Sequence, residues 1–337
     1  MTESAAKGSD PSHRRSRPAH GADARALIPS TPRIALALGG GGARGVAHIL
    51  MLEVFDEMGV KPALIVGTSI GAIFGAAYAS GLSARLIRAH TEEVLSQRFS
   101  FAQYLLAARS EPVLKLLNIV PIRSSLLNPA VLLDQVLPSK VAQDFAGLAI
   151  PFKAIATDFY AQEQVVINSG DLRSAVAASI ALPALFSGVE RDQRLLMDGG
   201  LVNPLPFDVL GGAADITVAI DVTGASSGPG KRLQPSALAA LVSSSQILQR
   251  SIVREKLRAA QPDIYIDVDV DKFQVLEFHR FKEVLAAARP AKEQLQRQLE
   301  RVLASQTLET VACQSEEPPP RKQRLGRLRR LARRRPE

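Results

Sequence analysis

A chain of 337 residues is long enough for one large domain or two small ones, and 46% hydrophobic with 22% charged residues is ordinary for a globular protein. The single cysteine, Cys313, excludes an internal disulfide framework, and no His/Cys cluster has zinc-site spacing. The net charge of +8 belongs to the ends: residues 1–33 carry +3 and residues 321–337 carry +8, which leaves −3 between them.

Residues 1–31, rich in Ser, Ala, Pro and Arg, read as a disordered basic leader. Arg14-Arg15 is followed by Ser16, Arg17 and Pro18, where a twin-arginine signal needs an apolar run. Lone-cysteine usage fits a reducing compartment, and the expectation is a cytoplasmic protein or one peripheral at the inner membrane face.

Ile34–Leu38 is a short, wholly apolar run, as in a strand buried on both faces of a parallel sheet. Four glycines end it, and a helix is predicted from Ala43 to Met58, with Val46, Leu50, Val54 and Met58 at i+4 spacing. Ala63–Val66 reads as a second buried strand and Ile70–Ser80 as the helix after it, stopped by Gly81. No charged residue occurs from Ala63 to Ala84, long enough to pass for a membrane span, but four glycines and Thr68-Ser69 make strand, turn and helix the better reading. Residues 84–137 read as mostly helical, and the apolar stretch 99–127 is the expected lid. Strands follow at Phe152–Ala156 and Val165–Asn168, a helix at Leu172–Ile180, and a short strand at Arg194–Met197 leading into Asp198. Ile216–Ile220 is another buried strand, 225–236 a loop, 238–258 a helix, Ile264–Val268 a strand and 278–303 one long helix. There is no internal repeat, and the alternation of strand and helix implies a three-layer α/β/α domain with a mostly parallel sheet. The domain is expected over 32–305, with 306–337 a disordered or amphipathic Arg-rich tail.

Gly67-Thr68-Ser69-Ile70-Gly71 is a Gly-x-Ser-x-Gly match lying between a buried strand and a helix, the context a nucleophile elbow requires. The helix N-terminus behind Ser69 favours negative charge developing there. Gly40 to Gly45 fits the dinucleotide pattern Gly-x-Gly-x-x-Gly, but no Asp or Glu lies between Glu57 and Glu92 to hold a ribose. An oxyanion hole is the better reading of these glycines, whose amides can donate to a tetrahedral intermediate. Arg44 steadies this loop, attracts anionic headgroups, or is a solvated arginine at a helix start. None of His13, His20, His48, His90 and His279 sits in a motif, and His48 reads as a packing or loop-bracing residue. Asp198-Gly199-Gly200, at a strand end, offers a carboxylate that could approach Ser69 and accept its proton directly, although by itself Asp-Gly-Gly reads as a turn signal.

The order of these three motifs resembles the patatin-like lipases, which combine a glycine-rich oxyanion loop, Gly-x-Ser-x-Gly and Asp-Gly-Gly and use a Ser–Asp dyad. Leu38–His48, Ala156-Thr157-Asp158 and Ala178-Ser179-Ile180-Ala181-Leu182-Pro183 are similar to the bacterial branch of that family, over about residues 33–300. The resemblance implies Ser69 as nucleophile, Asp198 as general base and the amides of Gly40, Gly41 and Gly42 as oxyanion donors. Arg44, Gly45, Gly67, Gly71, Gly199 and Gly200 support those motifs, with no metal and no cofactor. The expected substrate is an acyl ester of a phospholipid or lysophospholipid. A carboxylesterase or thioesterase with the same dyad, a nucleotide-binding module on Gly40–Gly45, and a non-catalytic membrane scaffold are the rival readings.

From Arg324 to Arg335 seven arginines surround Leu325, Leu328 and Leu331, a narrow basic helix suited to an anionic membrane surface, or else a solvated tail. Without interleaved aromatics, nucleic acid is not an expected partner. The oligomeric state is open.

Overall fold

A computed structural model describes residues 32–97, 127–212, 214–224 and 237–315. The expected leader, the lid stretch apart from Leu127, the loop 225–236 and the basic run after Ser315 lie outside these residues.

The strands are β1 (Ile34–Leu38), β2 (Leu64–Thr68), β3 (Phe152–Asp158), β4 (Glu163–Ile167), β5 (Val189–Arg191), β6 (Arg194–Asp198), β7 (Ile216–Asp221) and β8 (Ile264–Asp267). They form one sheet in the order β5-β6-β3-β2-β1-β7-β8, with β4 also paired to β3. Pairs β1–β2, β1–β7, β2–β3 and β7–β8 are parallel, whereas β3–β4, β3–β6 and β5–β6 are antiparallel. The helices are α1 (His48–Glu57), α2 (Ile70–Ala79), α3 (Ala84–Gln97), α4 (Pro129–Val136), α5 (Leu172–Ser179), α6 (Ala237–Ala259), α7 (Phe281–Ala287) and α8 (Arg289–Ser315).

Both faces of β1 are buried, which is why its apolar run does not alternate with polar residues. Ile34, Leu36 and Leu38 join the main core with residues of α1, α2 and α5. Ala35 and Ala37 face the other side, where Leu205, Phe207, Leu210 and Val253 of α6 cover the sheet. The chain therefore has the three-layer architecture expected of it, with a mixed, mostly parallel sheet. The charge-free stretch Ala63–Ala84 is strand, turn and helix, all ten residues of α2 being buried. No helix among the described residues is long and apolar enough to cross a membrane.

Four details depart from the sequence reading. The first predicted helix opens as a tight 3₁₀ turn over Gly42–Ala47 before α1 begins. Val189–Arg191, read as no element, pairs with β6 in a hairpin whose turn residues Asp192 and Gln193 both have positive φ. The helix predicted over 278–303 is a 3₁₀ turn, α7 and α8, broken where Pro290 removes an amide that a continuous helix needs. Finally, α8 runs to Ser315, past the boundary expected at 305.

Glycines let α2 lie close on the sheet. A methyl at Gly71 would stand 2.2 Å from the Leu38 carbonyl oxygen, whereas one at Gly75 would meet the edge of the Phe152 ring at 2.8 Å. A backbone neighbour cannot swing away as a ring can, and alanine gains helix propensity at both sites. Gly71→Ala is therefore expected to cost about 3 kcal/mol and Gly75→Ala about 1 kcal/mol or less in urea unfolding. Equal costs would contradict this packing.

Candidate active site

The β-ladder brings two distant motifs together. Strand β3 pairs with β2 through Thr68↔Ile155 and with β6 through Asp198↔Ala156. Consecutive residues of β3 thus hold the last residue of β2 and the last residue of β6, so Ser69 and Asp198 leave the sheet side by side. Ser69 Oγ donates a 2.7 Å hydrogen bond to Asp198 Oδ2.

Ser69 sits at φ 54°, ψ −123°, a conformation that costs a non-glycine residue about 1–3 kcal/mol. The flanking glycines are dictated by this bend. A methyl at Gly67 would stand 2.5 Å from the Gly71 carbonyl oxygen, so strand and helix could not fold back so closely. The turn after Asp198 is equally tight, for a methyl at Gly199 would stand 2.2 Å from the Ile155 carbonyl oxygen.

Asp198 is 3% exposed. Its Oδ1 accepts the Gly200 amide at 2.7 Å, and its carbonyl accepts the Thr157 hydroxyl at 2.8 Å. Burial pushes its carboxyl up to about 6, while the bonds from Ser69 and Gly200 pull the other way by favouring the anion. Neighbouring Asp158, which the sequence placed in a family-like motif, instead closes the β3–β4 turn by accepting the amides of Tyr160 and Ala161.

The glycine loop lies beside the serine, and here one expectation is corrected. The amide of Gly40 is donated to the Pro204 carbonyl at 2.9 Å, so this arrangement leaves it no proton for an oxyanion. Gly41 and Gly42 line the same cavity as Ser69 and Asp198. Both need to be glycine: methyls there would meet the carbonyl oxygens of Val222 at 2.5 Å and Val275 at 2.4 Å, and Gly42 has φ +58°. Gly45 clears Ile70, whose Cγ2 a methyl would approach to 2.1 Å.

Arg44 is buried, neither solvated nor open to a headgroup. Its guanidinium donates to the carbonyls of Phe273 and Thr223 and to Gln246 Oε1 of α6, tying the loop to three other segments. Burial lowers its pKa, opposed first by Asp271. His48 braces the loop from below, its Nε2 lying 2.8 Å from the Gly39 carbonyl oxygen. That nitrogen therefore donates, Nδ1 is left without a partner, and burial pushes the ring down to about 4, so it stays neutral. His90 lies 3.1 Å from the Val136 carbonyl and His279 belongs to the turn before α7. No described histidine lines the cavity.

A polar hub beside the dyad had no sequence signal. The Asn203 amide donates to the Gly199 carbonyl and the Thr68 hydroxyl donates to the Asn203 carbonyl, so Asn203 links the two motifs. Lys256 of α6 donates to Asn203 Oδ1, the Leu205 carbonyl and Asp208. Residues so far apart give no local pattern, and Asn-Pro reads simply as a turn.

The cavity in front of Ser69 holds about 1190 Å³ of empty space, its mouth included. Its walls are chiefly apolar, among them Ile70, Ile73, Leu132, Leu185, Phe186 and Val275. Among the described residues no group of His, Cys, Asp and Glu is arranged to hold a metal ion.

Comparison with known proteins bears on this site. The family model for patatin-like phospholipase matches residues 36–210, which include Ser69 and Asp198. An uncharacterized NTE family protein of Mycobacterium bovis is 36% identical over 211 residues, 62% of this chain and 54% of its own. Human patatin-like phospholipase domain-containing protein 6 is 36% identical over 204 residues, 59% of this chain and 14% of its own. The chain thus spans about half the length of the mycobacterial relative and a small part of the human one. Among solved structures it is similar to VipD from Legionella pneumophila, with TM-score 0.42 and 15% identity over 80% of this chain and 67% of that one. It is similar too to ExoU of Pseudomonas aeruginosa, with TM-score 0.42 and 16% identity over 81% of this chain and 52% of that one.

A carboxyl raised in the folded state withdraws stability as pH climbs from the ordinary carboxylate range through about 6. Asp198→Asn removes that charge while keeping the shape and an acceptor for Gly200. It is expected to raise unfolding stability by about 2–3 kcal/mol at pH 8, with the gain vanishing near pH 4. Denaturant melts at both pH values check this, and destabilisation at pH 8 would contradict it.

Proposed function

The chain belongs to the patatin-like phospholipase family, and from that premise we propose that it is a serine lipid acyl hydrolase working through Ser69 and Asp198. The observation that carries the reading is the 2.7 Å hydrogen bond between a strained serine and a buried carboxylate, at the floor of an apolar cavity.

Ionised Asp198 takes the Ser69 proton as Oγ attacks an ester carbonyl, giving a tetrahedral oxyanion. Gly41 and Gly42 amides are its proposed donors, helped by the positive end of the α2 dipole behind Ser69. Asp198 then passes its proton to the departing alcohol, leaving the acyl group on Ser69. Water attacks the acyl-serine, Asp198 takes its proton and returns it to Ser69, and the fatty acid leaves. A carboxylate is an unusually weak base for a serine hydroxyl. Burial offsets part of this by bringing the aspartate's pKa to about 6.

The apolar walls of the cavity that Ser69 lines suit an acyl chain, and the proposed substrates are phospholipids or lysophospholipids. A carboxylesterase or thioesterase with the same dyad would show no dependence on headgroup. Engagement of an anionic membrane by the Arg-rich run, and action in the cytoplasm or at the inner membrane face, are proposals resting on composition alone.

Hydrolysis of p-nitrophenyl esters of increasing chain length, then of phospholipid vesicles, tests this reading. Long acyl esters are expected to be preferred, with Ser69→Ala and Asp198→Asn each lowering kcat by about 10⁴-fold. Activity surviving in Ser69→Ala would overturn the nucleophile. Because the base must be ionised, kcat/KM is expected to rise as pH passes about 6 and to level off above it. A profile that rises only near pH 7 or higher would point to a different base.

A further inference from the structure

The segment Ala178–Pro183, which the mechanism above does not use, touches both halves of the dyad. Its contacts follow from the geometry of the β2–β3 ladder. In that ladder the Ile65 amide donates to the Pro151 carbonyl at 2.9 Å. Parallel rungs recur on alternate residues, and the register runs on to Thr68↔Ile155. The rung from the Ser69 amide therefore falls on the Ile155 carbonyl.

The chain does not close that rung directly. Ser179, the last residue of α5, inserts its hydroxyl there: the Ser69 amide donates to Ser179 Oγ at 2.9 Å, and Ser179 Oγ donates to the Ile155 carbonyl at 2.6 Å. The hydroxyl acts as a spacer. It lets the chain leave β3 at Ser69 and adopt positive φ while both buried backbone groups stay satisfied. Two residues further on, the Ala181 carbonyl accepts the Asp198 amide at 3.0 Å. One short segment thus holds the backbones of nucleophile and base. It is anchored through α5, whose N-cap Asp171 accepts the Ser174 amide and whose Leu172, Ala175 and Val176 are fully buried.

We propose that Ser179 is the positioning residue of this site, setting the separation and aim of Ser69 relative to Asp198 by bridging Ser69 to β3. The proposal rests on the dyad reading above. Removing the hydroxyl leaves two ways to relax: the Ser69 amide and Ile155 carbonyl stay unpaired, or they draw together. The first leaves the turn at Ser69 without its tether and the second draws Ser69 toward β3, so in either case the aim of Oγ at Asp198 is no longer fixed.

The test uses the full chain, a long-chain p-nitrophenyl ester, and Ser179→Ala beside Ser179→Cys, which keeps a weak donor and acceptor at nearly the same volume. For Ser179→Ala the expected result is a kcat lower by about 10–100-fold with KM within twofold, as expected of a misplaced reacting group. Its acid limb is expected to move to higher pH, since the Ser69 bond is one of the interactions favouring ionised Asp198. Ser179→Cys is expected to recover part of the rate and of the limb. A purely structural role would lower the melting temperature, with kcat and the limb at 25 °C unchanged in the folded fraction, and that would overturn the proposal. Should Ser179→Ala not fold, Ser179→Gly, which also removes the bridging hydroxyl, would overturn it equally by keeping wild-type kcat and limb. Wild-type protein inert toward every ester would sink the dyad reading itself, an outcome distinct from an active wild type indifferent to Ser179.

Discussion

The hydrogen bond between Ser69 and Asp198 exists because β3 accepts parallel β2 at Ile155 and antiparallel β6 at Ala156. Neither residue reaches the other through a long flexible side chain. Each leaves the end of its strand, and the ladder sets the spacing before any side-chain rotamer is chosen. A slip of one residue in either pairing would turn one partner to the opposite face and abolish the contact. The mixed character of the sheet is thereby what makes the contact possible. An all-parallel sheet would need a crossover to deliver a second strand end here, whereas the β5–β6 hairpin folds Asp198 back onto the edge of β3.

The cost of this arrangement is concentrated at few places. Ser69 holds positive φ, Asp198 is a carboxylate shut away from water, and His48 keeps one ring nitrogen unpartnered in the core. Each opposes folding, and each adjoins the cavity or the loop that borders it. The offset lies in the core flanking the sheet, where Phe55, Met51, Leu36 and Leu52 are fully buried. Arg44 belongs to the same scheme: buried among carbonyl oxygens, it pins the glycine loop, of which Gly41 and Gly42 line the cavity.

Much of this was legible in the residues. Uninterrupted apolar runs marked β1 and β2, because burial on both faces leaves no polar alternation to mask them. The glycines of the three motifs marked close backbone approaches, and the structure supplies a carbonyl oxygen or a packed side chain at each except Gly40, where a methyl would meet only ordinary contacts. Other features had no local trace. The acceptor that occupies the Gly40 amide is the distant Pro204 carbonyl, and those that hold Arg44 belong to Thr223, Phe273 and Gln246. Asn203 and Lys256 meet through tertiary packing alone. The β5 strand was missed because Val189-Glu190-Arg191 is too short and polar to stand out from a loop. The break before α8 was readable from Pro290, but strong apolar periodicity on both sides masked it.

The central claim is that a serine is activated by an aspartate alone. Reaction with a fluorophosphonate, followed by peptide mapping, tests it most directly. The account predicts a single adduct on Ser69, formed at a rate that rises through pH about 6 and is lost in Asp198→Asn, while His48→Asn and His90→Asn, if folded, still label. Labelling that persists in Asp198→Asn, or that depends on either histidine, would contradict it.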